Sequence, residues 1–485
     1  EIYRMAEEKM LYDITFIDIP VKKFDVEDEL SKKLENMYSF QNEIFNRQTG
    51  YPFEEKKYYY TSGILCLSTY LKERNFKVGY INYPKDKHKF TAMITASRYI
   101  GFSTVTITIN TILSLAKKIK TINPNVKILL GGYHASYCAQ ELLENNPYLD
   151  GVIIGEGEET LAKILSGNKV EKIEGFAYIQ PNGKFQINKR THFLKEEDIP
   201  SPDFSLIESD LENYNIYIAT MRGCVGKCNF CINHNYWGKP RYVSLDKIEH
   251  TFRYLYEKIK DLRLIHIIDN VFTLNVERLK RIKDLITPYK SKFIFECDTL
   301  ASLIDEQRVR LLQNMNIVKI GLGFEDCTDT INKIAEKGVT ISDNIKAAKI
   351  IRTYAPNICV YAYWLVGLPG TSIDSINQNI KMIRYLISKE LVHIISPKIF
   401  IPYPGTNFWK KSTEYNLYIS SKNWSDYERI SPPYPYYLKN FTEKQLEKAL
   451  EEIIDVCNEE YIKKWHLSCK NILSNDRTSW YGKII

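Results

Sequence analysis

The chain lacks any long hydrophobic run. Among its 485 residues, no apolar stretch reaches the ~18–20 residues that a helix needs to cross a bilayer. No signal-peptide pattern opens the sequence either. These two absences predict a protein without a membrane span and with a cytoplasmic location.

The chain also lacks a block of basic residues. Lys and Arg number 66 against 59 Asp and Glu, which gives a formal net charge of +7. A slightly basic, solvated surface explains this balance better than a nucleic-acid site, which would concentrate Lys and Arg on one element. We therefore expect no nucleic-acid partner.

Regularly spaced cysteines are absent, with one exception. Ten cysteines without a repeating pattern indicate free thiols in a reducing cytosol rather than a disulfide framework. The exception is the stretch 222–235, which holds Cys224, Cys228 and Cys231 in the spacing C-x3-C-x2-C. It follows residues 216–220, an apolar run that predicts a strand.

Three thiolates in one short loop predict a metal centre, either zinc or an iron–sulfur cluster. A closed zinc site takes four protein ligands, and an ordinary cubane takes four cysteines. No fourth cysteine lies nearby in the sequence, so one corner of the centre would be open to an external ligand. The alternatives are a zinc knuckle completed by His234, or three unrelated core cysteines.

The cysteine spacing, with Phe230 before the last cysteine and Arg222-Gly223 before the first, resembles the radical S-adenosylmethionine (SAM) superfamily. Val225 departs from the proline that is usual there. The resemblance implies that the three cysteines hold a [4Fe–4S] cluster, that SAM chelates the fourth iron, and that Phe230 belongs to the SAM site.

Strand-like and helix-like segments alternate after the cysteines, with six expected strands within residues 216–406. This pattern predicts a partial (β/α)6 barrel, with active residues at the carboxyl ends of its strands. Glu325 ends the fourth strand, and the resemblance implies that it hydrogen-bonds the ribose hydroxyls of SAM. Gly367 and Pro369 lie in the Gly-Leu-Pro-Gly turn after the fifth strand, and the resemblance places them near the adenine.

The fifth strand also carries the candidate catalytic residues, Tyr361 and Tyr363. Because side chains alternate along a strand, residues two apart share one face. The pattern leaves open whether that face is turned to the barrel or to its helices.

The first part of the chain alternates strands and helices in the same way, with strands expected from residues 12, 76, 99, 126 and 151. This predicts a doubly wound, Rossmann-like parallel sheet, in which ligands lie beyond the carboxyl ends of the strands. Small, hydroxylated and polar residues follow those ends: Ser103, Thr104, Gly131, Gly132, His134, Gly155 and Glu156.

This set resembles the cobalamin-binding domain that precedes many radical SAM barrels, and the resemblance implies that these residues contact cobalamin. The D-x-H-x-x-G motif is absent, because Asp86-Lys-His88 is followed by no glycine. The resemblance therefore implies that the cobalt of the bound cobalamin is coordinated neither by the cofactor's own base nor by an assigned protein residue. His134 is a weaker candidate for a ligand of the cobalt than for a residue of a turn or a residue that contacts the cobalamin tail.

We expect an α/β protein of four segments. Residues 1–167 form the Rossmann-like cobalamin-binding domain, and 168–215 form a linker with a hairpin around Pro181-Asn-Gly183. Residues 216–406 form the radical SAM barrel, and 407–485 form a helical cap.

The fused order resembles the class B, cobalamin-dependent radical SAM methylases. It implies a methyltransferase that acts on an unactivated carbon of a small-molecule or peptide substrate, through a 5′-deoxyadenosyl radical and methylcobalamin. The implied cofactors are a [4Fe–4S] cluster, SAM and cobalamin, and the implied partner is an electron donor such as flavodoxin or ferredoxin. Two alternatives remain: a non-methylating rearrangement or cyclisation, and a non-catalytic cobalamin or metal-binding sensor.

Overall fold

The computed structural model describes residues 11–19, 29–428, 430 and 432–467. Within them the chain forms two compact units. The first comprises residues 11–19, 58–214 and 235–251, and the second comprises 29–57, 215–234 and 252–467. Residues 25–57, which the sequence suggests are a helical insertion, contribute helix α1 (Glu29–Thr49) to the second unit.

The first unit is built on a seven-stranded sheet of order β2-β1-β3-β4-β5-β6-β7. Its strands are β1 (Tyr12–Asp18), β2 (Val78–Asn82), β3 (Ser97–Ser103), β4 (Lys127–Gly131), β5 (Gly151–Ile153), β6 (Phe176–Ile179) and β7 (Phe185–Asn188). Its helices are α2 (Ser62–Lys72), α3 (Phe90–Thr95), α4 (Ile109–Ile122), α5 (Gly132–Asn145) and α6 (Glu158–Leu165).

The strands β1 to β5 are parallel, and their apolar side chains are buried as expected for a sheet with helices on both faces. The hairpin expected in the linker is present as β6 and β7, with Gly183 at a φ of +82° in its turn. It pairs antiparallel with β5 and so extends the sheet. The domain boundaries drawn from the sequence remain a prediction.

The second unit contains a six-stranded sheet whose strands are parallel and follow one another in chain order. They are β8 (Ile216–Ile218), β11 (Arg263–Ile267), β12 (Phe293–Thr299), β13 (Ile317–Glu325), β14 (Cys359–Val366) and β15 (Ile394–Ile399). Two-residue strands, β9 (Met221–Arg222) and β10 (Arg241–Tyr242), lie between β8 and β11 in the chain. The predicted fold class, with a partial (β/α)6 barrel, is confirmed.

The helices between these strands are α7 (Asn233–Trp237), α8 (Leu245–Lys258), α9 (Val276–Ile286), α10 (Glu306–Asn314), α11 (Asp329–Ile334), α12 (Ile341–Tyr354) and α13 (Ile373–Ser388). After β15 come α14 (Asn407–Lys410), the antiparallel pair β16 (Leu417–Ile419) and β17 (Tyr436–Leu438), and α15 (Glu443–Trp465). A capping box between Thr442 and Gln445 begins α15. This last helix packs against α1, α13 and β15.

The six parallel strands present two different faces. On β12, the ring of Phe295 lies 5.7 Å from the ring of Phe252 in α8, so this face is covered by helices. Glu296 and Asp298 alternate with Phe295 and therefore project from the opposite face, which we call the inner face. Polar and charged side chains are thus kept on the inner face of the barrel.

In the part of the chain that the structure describes, none of the helices has both the length and the apolar character that a bilayer span requires.

Candidate active site

Cys224, Cys228 and Cys231 lie on one loop, residues 223–232, between β9 and α7; we call it the cysteine loop. All three are free and partly exposed. A Cβ atom placed on Gly226 would lie 3.5 Å from the sulfur of Cys224 and 3.7 Å from that of Cys228, so the loop wraps closely around these two thiols.

Burial raises the pKa of each of the three thiols, and that of Cys231 reaches about 12. A thiolate in such surroundings needs positive charge nearby, which bound metal supplies when thiols act as ligands. Among the described residues, no three His, Cys, Asp or Glu side chains converge on the spacing of a single metal ion. In a cubane the thiolate ligands bind separate irons, and three thiols on one short loop can each supply one such ligand.

His234, the alternative fourth ligand, contributes to the loop itself. Its Nδ1 lies 3.1 Å from the carbonyl oxygen of Cys224.

Two residues that follow β11 hold the two ends of the cysteine loop. Asp269, only 1% exposed, accepts hydrogen bonds from the backbone N–H groups of Thr220 at 2.6 Å and Met221 at 3.0 Å. Asn270 donates to the carbonyl of Gly223 at 3.0 Å and accepts from the side chain of Asn233. These contacts fix the loop at its beginning and its end.

The middle of the loop is held by Asn229, which is 1% exposed. Its backbone N–H donates to the carbonyl of Ala335 at 2.8 Å, and its carbonyl accepts from the N–H of Phe408 at 3.0 Å. Its side chain donates to the carbonyl of Ile334 at 2.8 Å. The thiols are therefore presented by a loop with three separate anchors.

Glu325, the last residue of β13, forms a buried ion pair at this site. It has a φ of +61°, a left-handed conformation that is uncommon for a residue with a side chain. Its Oε1 lies 2.7 Å from the Nζ of Lys337, and the two residues are 6% and 9% exposed. Any side chain at position 323 would collide with both groups, which explains Gly323.

Lys337 links this ion pair to the cysteine loop. Burial lowers the pKa of Lys337, but attraction to Glu325, Cys228 and Cys231 outweighs burial and holds the pKa above its usual value. Its Nζ also lies 5.6 Å from the ring centroid of Phe230. The geometry thus brings Phe230, Glu325 and the three cysteines together around a lysine that sequence reasoning missed.

Tyr361 and Tyr363 lie on the inner face, where their rings are 4.9 Å apart in an edge-to-face contact. Tyr363 donates a hydrogen bond of 3.1 Å to Asp298 on β12. This bond spans the intervening strand because position 321 is glycine, and a Cβ there would collide with both partners. Asp298, on the inner face, is a second residue, after Lys337, that the sequence did not single out.

Gly367 and Pro369 lie in the turn after β14, away from solvent. Gly367 has a φ of +91°, and its carbonyl accepts a 2.9 Å hydrogen bond from the hydroxyl of Tyr436. A Cβ at this position would meet Tyr436 and Leu446. Packing by the C-terminal segment explains this glycine, and its contact with SAM remains a prediction.

In the first unit, the candidate cobalamin residues gather at the carboxyl edge of the parallel strands. Ser103 ends β3, Gly131 ends β4, and Gly132 begins α5 with a φ of +89°. Thr104 donates to the carbonyl of Gly131 at 2.8 Å and is fully buried. Gly155 follows β5 at the same edge. The predicted common edge is therefore formed, while the cobalamin contacts themselves remain predictions.

Two candidates at this edge already have partners within the first unit. His134 is 1% exposed, its Nδ1 lies 3.2 Å from the hydroxyl of Thr106, and burial lowers its pKa to about 4. Glu156 is 2% exposed and accepts hydrogen bonds of 3.0 Å from Arg241 and from the backbone of Leu194. Both side chains thus help to hold the edge together.

The segment after the cysteine loop also packs onto this edge. The hydroxyl of Tyr236 donates to the carbonyl of Gly155 at 2.9 Å, and Nε1 of Trp237 donates to the hydroxyl of Tyr133 at 2.7 Å. The rings of Tyr133 and Tyr236 are 4.4 Å apart. This contact joins residues distant in sequence, so no local pattern could have predicted it.

Two family models match the chain at these two sites. The model of the Radical SAM superfamily matches residues 218–383, and that of the B12 binding domain matches residues 55–165. The chain is a B12-binding radical SAM protein. Its cofactors are therefore cobalamin, SAM and a [4Fe–4S] cluster, as predicted from the sequence.

Individual proteins resemble this B12-binding radical SAM protein over much of its length. An uncharacterized methyltransferase of Pyrococcus horikoshii is 25% identical over 363 residues, which are 73% of this chain and 77% of the relative. The anaerobic magnesium-protoporphyrin IX monomethyl ester cyclase of Rubrivivax gelatinosus is 22% identical over 55% of this chain, which spans 50% of the cyclase.

A solved structure has the same fold. The cobalamin-dependent SAM radical enzyme OxsB superposes with a TM-score of 0.69 at 16% identity, over 95% of this chain and 68% of OxsB.

Proposed function

We propose that this B12-binding radical SAM protein is a methyltransferase that methylates an unactivated carbon of a small-molecule or peptide substrate. The observation that carries the proposal is the cysteine loop beside the Glu325–Lys337 pair, in a chain that also forms a cobalamin-type strand edge. The similarity to a methyltransferase of Pyrococcus horikoshii supports this choice of reaction. We also propose the cobalamin segment 1–167, the barrel segment 216–406 and a cytoplasmic location, which suits the free thiols of the described cysteines.

When bound, SAM and the cluster would supply hydrogen-atom abstraction, and cobalamin would supply methyl transfer. The chain itself would hold the cluster and would orient SAM and the substrate. Cys224, Cys228 and Cys231 would hold the cluster on a loop fixed by Asp269 and Asn229. Rigid anchoring of this kind limits the misplacement that costs enzymes rate.

Glu325 and Lys337 would orient SAM. A carboxylate offers two acceptor oxygens, which suit the paired hydroxyls of a ribose. The ammonium of Lys337, on the side of the pair towards the cysteines, would hold the carboxylate of SAM by a charge-assisted bond. In the protein without SAM these two side chains neutralise each other, so neither is left as an unpaired buried charge.

The inner face would receive the substrate. Asp298 and Tyr363 are both partly accessible there, and their hydrogen bond holds the carboxylate and the phenol in a fixed arrangement. A hydroxyl or amino group on the substrate could donate to Asp298, which would fix the orientation of the neighbouring carbon. Tyr361 is 2% exposed, and its edge-to-face contact would hold the ring of Tyr363 in place.

A second function, a cyclisation or rearrangement without methyl transfer, is favoured by the similarity to the Rubrivivax cyclase. The two functions differ in their use of SAM. A methylase consumes one SAM as methyl donor and one as radical source in each turnover, whereas a cyclase needs only the radical source.

The experiment is anaerobic reconstitution of the full chain with iron, sulfide and cobalamin, followed by reaction with candidate substrates and methyl-deuterated SAM. We expect S-adenosylhomocysteine and 5′-deoxyadenosine in equal amounts with a product that carries the deuterated methyl group. The Cys224→Ala/Cys228→Ala/Cys231→Ala variant is the control and should form neither the radical product nor methylated substrate. Deoxyadenosine and product without matching S-adenosylhomocysteine would refute methylation and support the cyclase alternative.

A further inference from the structure

Three buried polar side chains lie around the turn that follows Glu325. They are Asp326, which comes directly after it, Asn332 on α11 and Asn379 on α13, and none of the three is more than 4% exposed. Buried polar groups are costly to a fold unless they are hydrogen-bonded, so their partners show what they hold in place. We call these three residues the polar network.

The carboxylate of Asp326 is bound on both of its oxygens. Its Oδ2 accepts from Nδ2 of Asn379 at 2.8 Å, and its Oδ1 accepts from the backbone N–H of Thr328 at 2.6 Å. The side-chain oxygen of Asn379 in turn accepts from the N–H of Cys327 at 2.8 Å. Burial raises the pKa of Asp326 to about 6, and its hydrogen bonds act against that rise. Asn379 therefore holds the two residues that follow Glu325 against α13.

Glu325 needs such support because its backbone is strained. With a φ of +61°, it is the central residue of a three-residue turn, closed by a 2.8 Å hydrogen bond from the N–H of Asp326 to the carbonyl of Phe324. A turn of this kind is rare for a residue with a side chain and persists only where the surroundings fix it. The bond between Asp326 and Asn379 supplies a fixed point one residue after Glu325.

Asn332 holds the same turn from α11. Its Nδ2 donates to the carbonyl of Asp326 at 2.7 Å, and its own carbonyl accepts from the backbone N–H of Lys337 at 3.0 Å. One residue thus bonds the backbone directly after Glu325 and the backbone of Lys337, the partner of Glu325 in the buried ion pair. The network acts on Glu325 from two helices.

We propose that Asp326, Asn332 and Asn379 are positioning residues that fix the carboxylate of Glu325 for recognition of the ribose of SAM. This inference rests on the proposed function, in which Glu325 accepts from the ribose hydroxyls. A carboxylate displaced by about 1 Å no longer accepts well-aligned hydrogen bonds from both hydroxyls of a diol. Because the network reaches Glu325 through the backbone, its loss is expected to change recognition of the ribose and to leave the cysteine ligands in place.

The test compares two ligands on the reconstituted full chain: SAM and its 2′,3′-dideoxy analogue, which lacks both ribose hydroxyls. Asn379→Leu removes the bonds of Asn379 to Asp326 and Cys327. Asn332→Leu is milder, because it removes one neutral hydrogen bond to the carbonyl of Asp326 and keeps the backbone bond to Lys337. Calorimetry gives the dissociation constant of each ligand, and iron analysis of the same samples reports the iron–sulfur cluster.

The matched control is Asn458→Leu. Asn458 lies on α15, and its Nδ2 donates to the carbonyl of Lys33 on α1 at 3.1 Å. The control therefore makes the same substitution, and removes a hydrogen bond to a backbone carbonyl, at a position outside the polar network. It should bind both ligands as the wild type does.

We expect the wild type to bind SAM more tightly than the analogue, because only SAM offers hydroxyls to Glu325. Asn379→Leu and Asn332→Leu should each bind SAM about ten-fold more weakly and the analogue as the wild type does, with unchanged iron content. The preference for SAM is thus lost, whereas a general loosening of the site would weaken both ligands equally. If Asn379→Leu fails to fold, the result with Asn332→Leu decides.

Equal weakening of both ligands, or unchanged affinity for SAM, would overturn the inference. Loss of iron from both variants would overturn it too, because the network would then serve the cysteine loop, which bonds the backbone of Ile334 and Ala335. A wild type that binds SAM and the analogue equally would contradict the role of Glu325 and this inference with it. A wild type that binds no SAM would refute the proposed function itself.

Discussion

Lys337 interacts both with the acidic residue of the candidate site and with its cysteines. It is 9% exposed, pairs with Glu325 at 2.7 Å and is attracted to the cysteines of the loop. Sequence reasoning found the cysteines, Phe230 and Glu325 because each belongs to a short motif. A lysine before a glycine forms no such motif, and its role becomes visible only when the chain brings it back to the cysteine loop.

We predict that Lys337→Met weakens SAM binding about 10- to 100-fold, because a charge-assisted hydrogen bond contributes about 1.5–3 kcal/mol. Methionine keeps most of the length and volume of the side chain but removes the charge. Binding of SAM to the reconstituted protein would be measured by calorimetry, together with its iron content. Iron content should stay at the wild-type level, because the three cysteine ligands are unchanged.

The matched control is Lys337→Arg, which keeps the charge and should recover most of the lost affinity. Unchanged SAM affinity in the methionine variant, with its cluster intact, would contradict the role assigned to Lys337.

At the scale of elements, the inner face of the barrel depends on a charged network across three adjacent strands. Glu296 on β12 is 4% exposed and contacts both His266 on β11 and Lys319 on β13. The ammonium of Lys319 also lies 4.9 Å from the ring centroid of Tyr361 on β14. This network gives neighbouring strands a common register on a face that lacks the apolar packing of the opposite face.

We predict that Glu296→Ala lowers the free energy of unfolding by about 3–5 kcal/mol, because it leaves Lys319 as a buried charge without its carboxylate partner. The double variant Glu296→Ala/Lys319→Met should be more stable than Glu296→Ala alone, since it removes the uncompensated charge. Urea unfolding of the three proteins would measure both effects. A double variant that is no more stable than Glu296→Ala would show that Lys319 does not depend on the carboxylate of Glu296.

At this scale, features set by residues near in sequence were predicted more accurately than features set by contacts between residues distant in sequence. The end of β13 was predicted at its observed last residue, Glu325, because a mostly apolar run ending in an acid is a local signal. The hairpin was found from its Asn-Gly turn, but its pairing with β5 was not. The assignment of α1 to the second unit, through contacts such as Gln41 to the carbonyl of Ile395 at 2.8 Å, likewise depends on partners hundreds of residues away.

The same distinction applies to the candidate site. The cysteines and Glu325 carry motif signals, whereas Asn270 and Arg241 carry none. Asn270 acts by bonding Gly223, and Arg241 acts by bonding Glu156. Side chains that position other residues are recognised by their contacts, which a single sequence does not contain.

At the scale of the whole molecule, each unit carries the residues that we propose for one cofactor. The cysteine loop and its anchors belong to the second unit, and the carboxyl edge of β3 to β5 belongs to the first. The two units also have separate sheets. Loading of one cofactor should therefore not require the other.

We predict that a bulky residue at the carboxyl edge of the first unit abolishes cobalamin binding and spares the cluster. Gly131→Trp is the suitable change, because Gly131 has an extended backbone and a Cβ there meets only atoms at 3.8 Å or more. Gly132 is unsuitable, since its φ of +89° and its contacts with the backbone of Thr104 would disrupt the fold itself. Lys118→Trp, on the exposed side of α4, is the control for an added indole.

Cobalamin would be measured by the absorbance of the bound corrin, and the cluster by iron analysis of the same samples. Gly131→Trp should lose the corrin absorbance and keep about four irons, the content of one cubane. The variant with alanine at Cys224, Cys228 and Cys231 should show the reverse, with about four irons lost and cobalamin retained. If both variants lose both cofactors, the two units do not load independently, and cobalamin must depend on an assembled barrel as well as on the strand edge of the first unit.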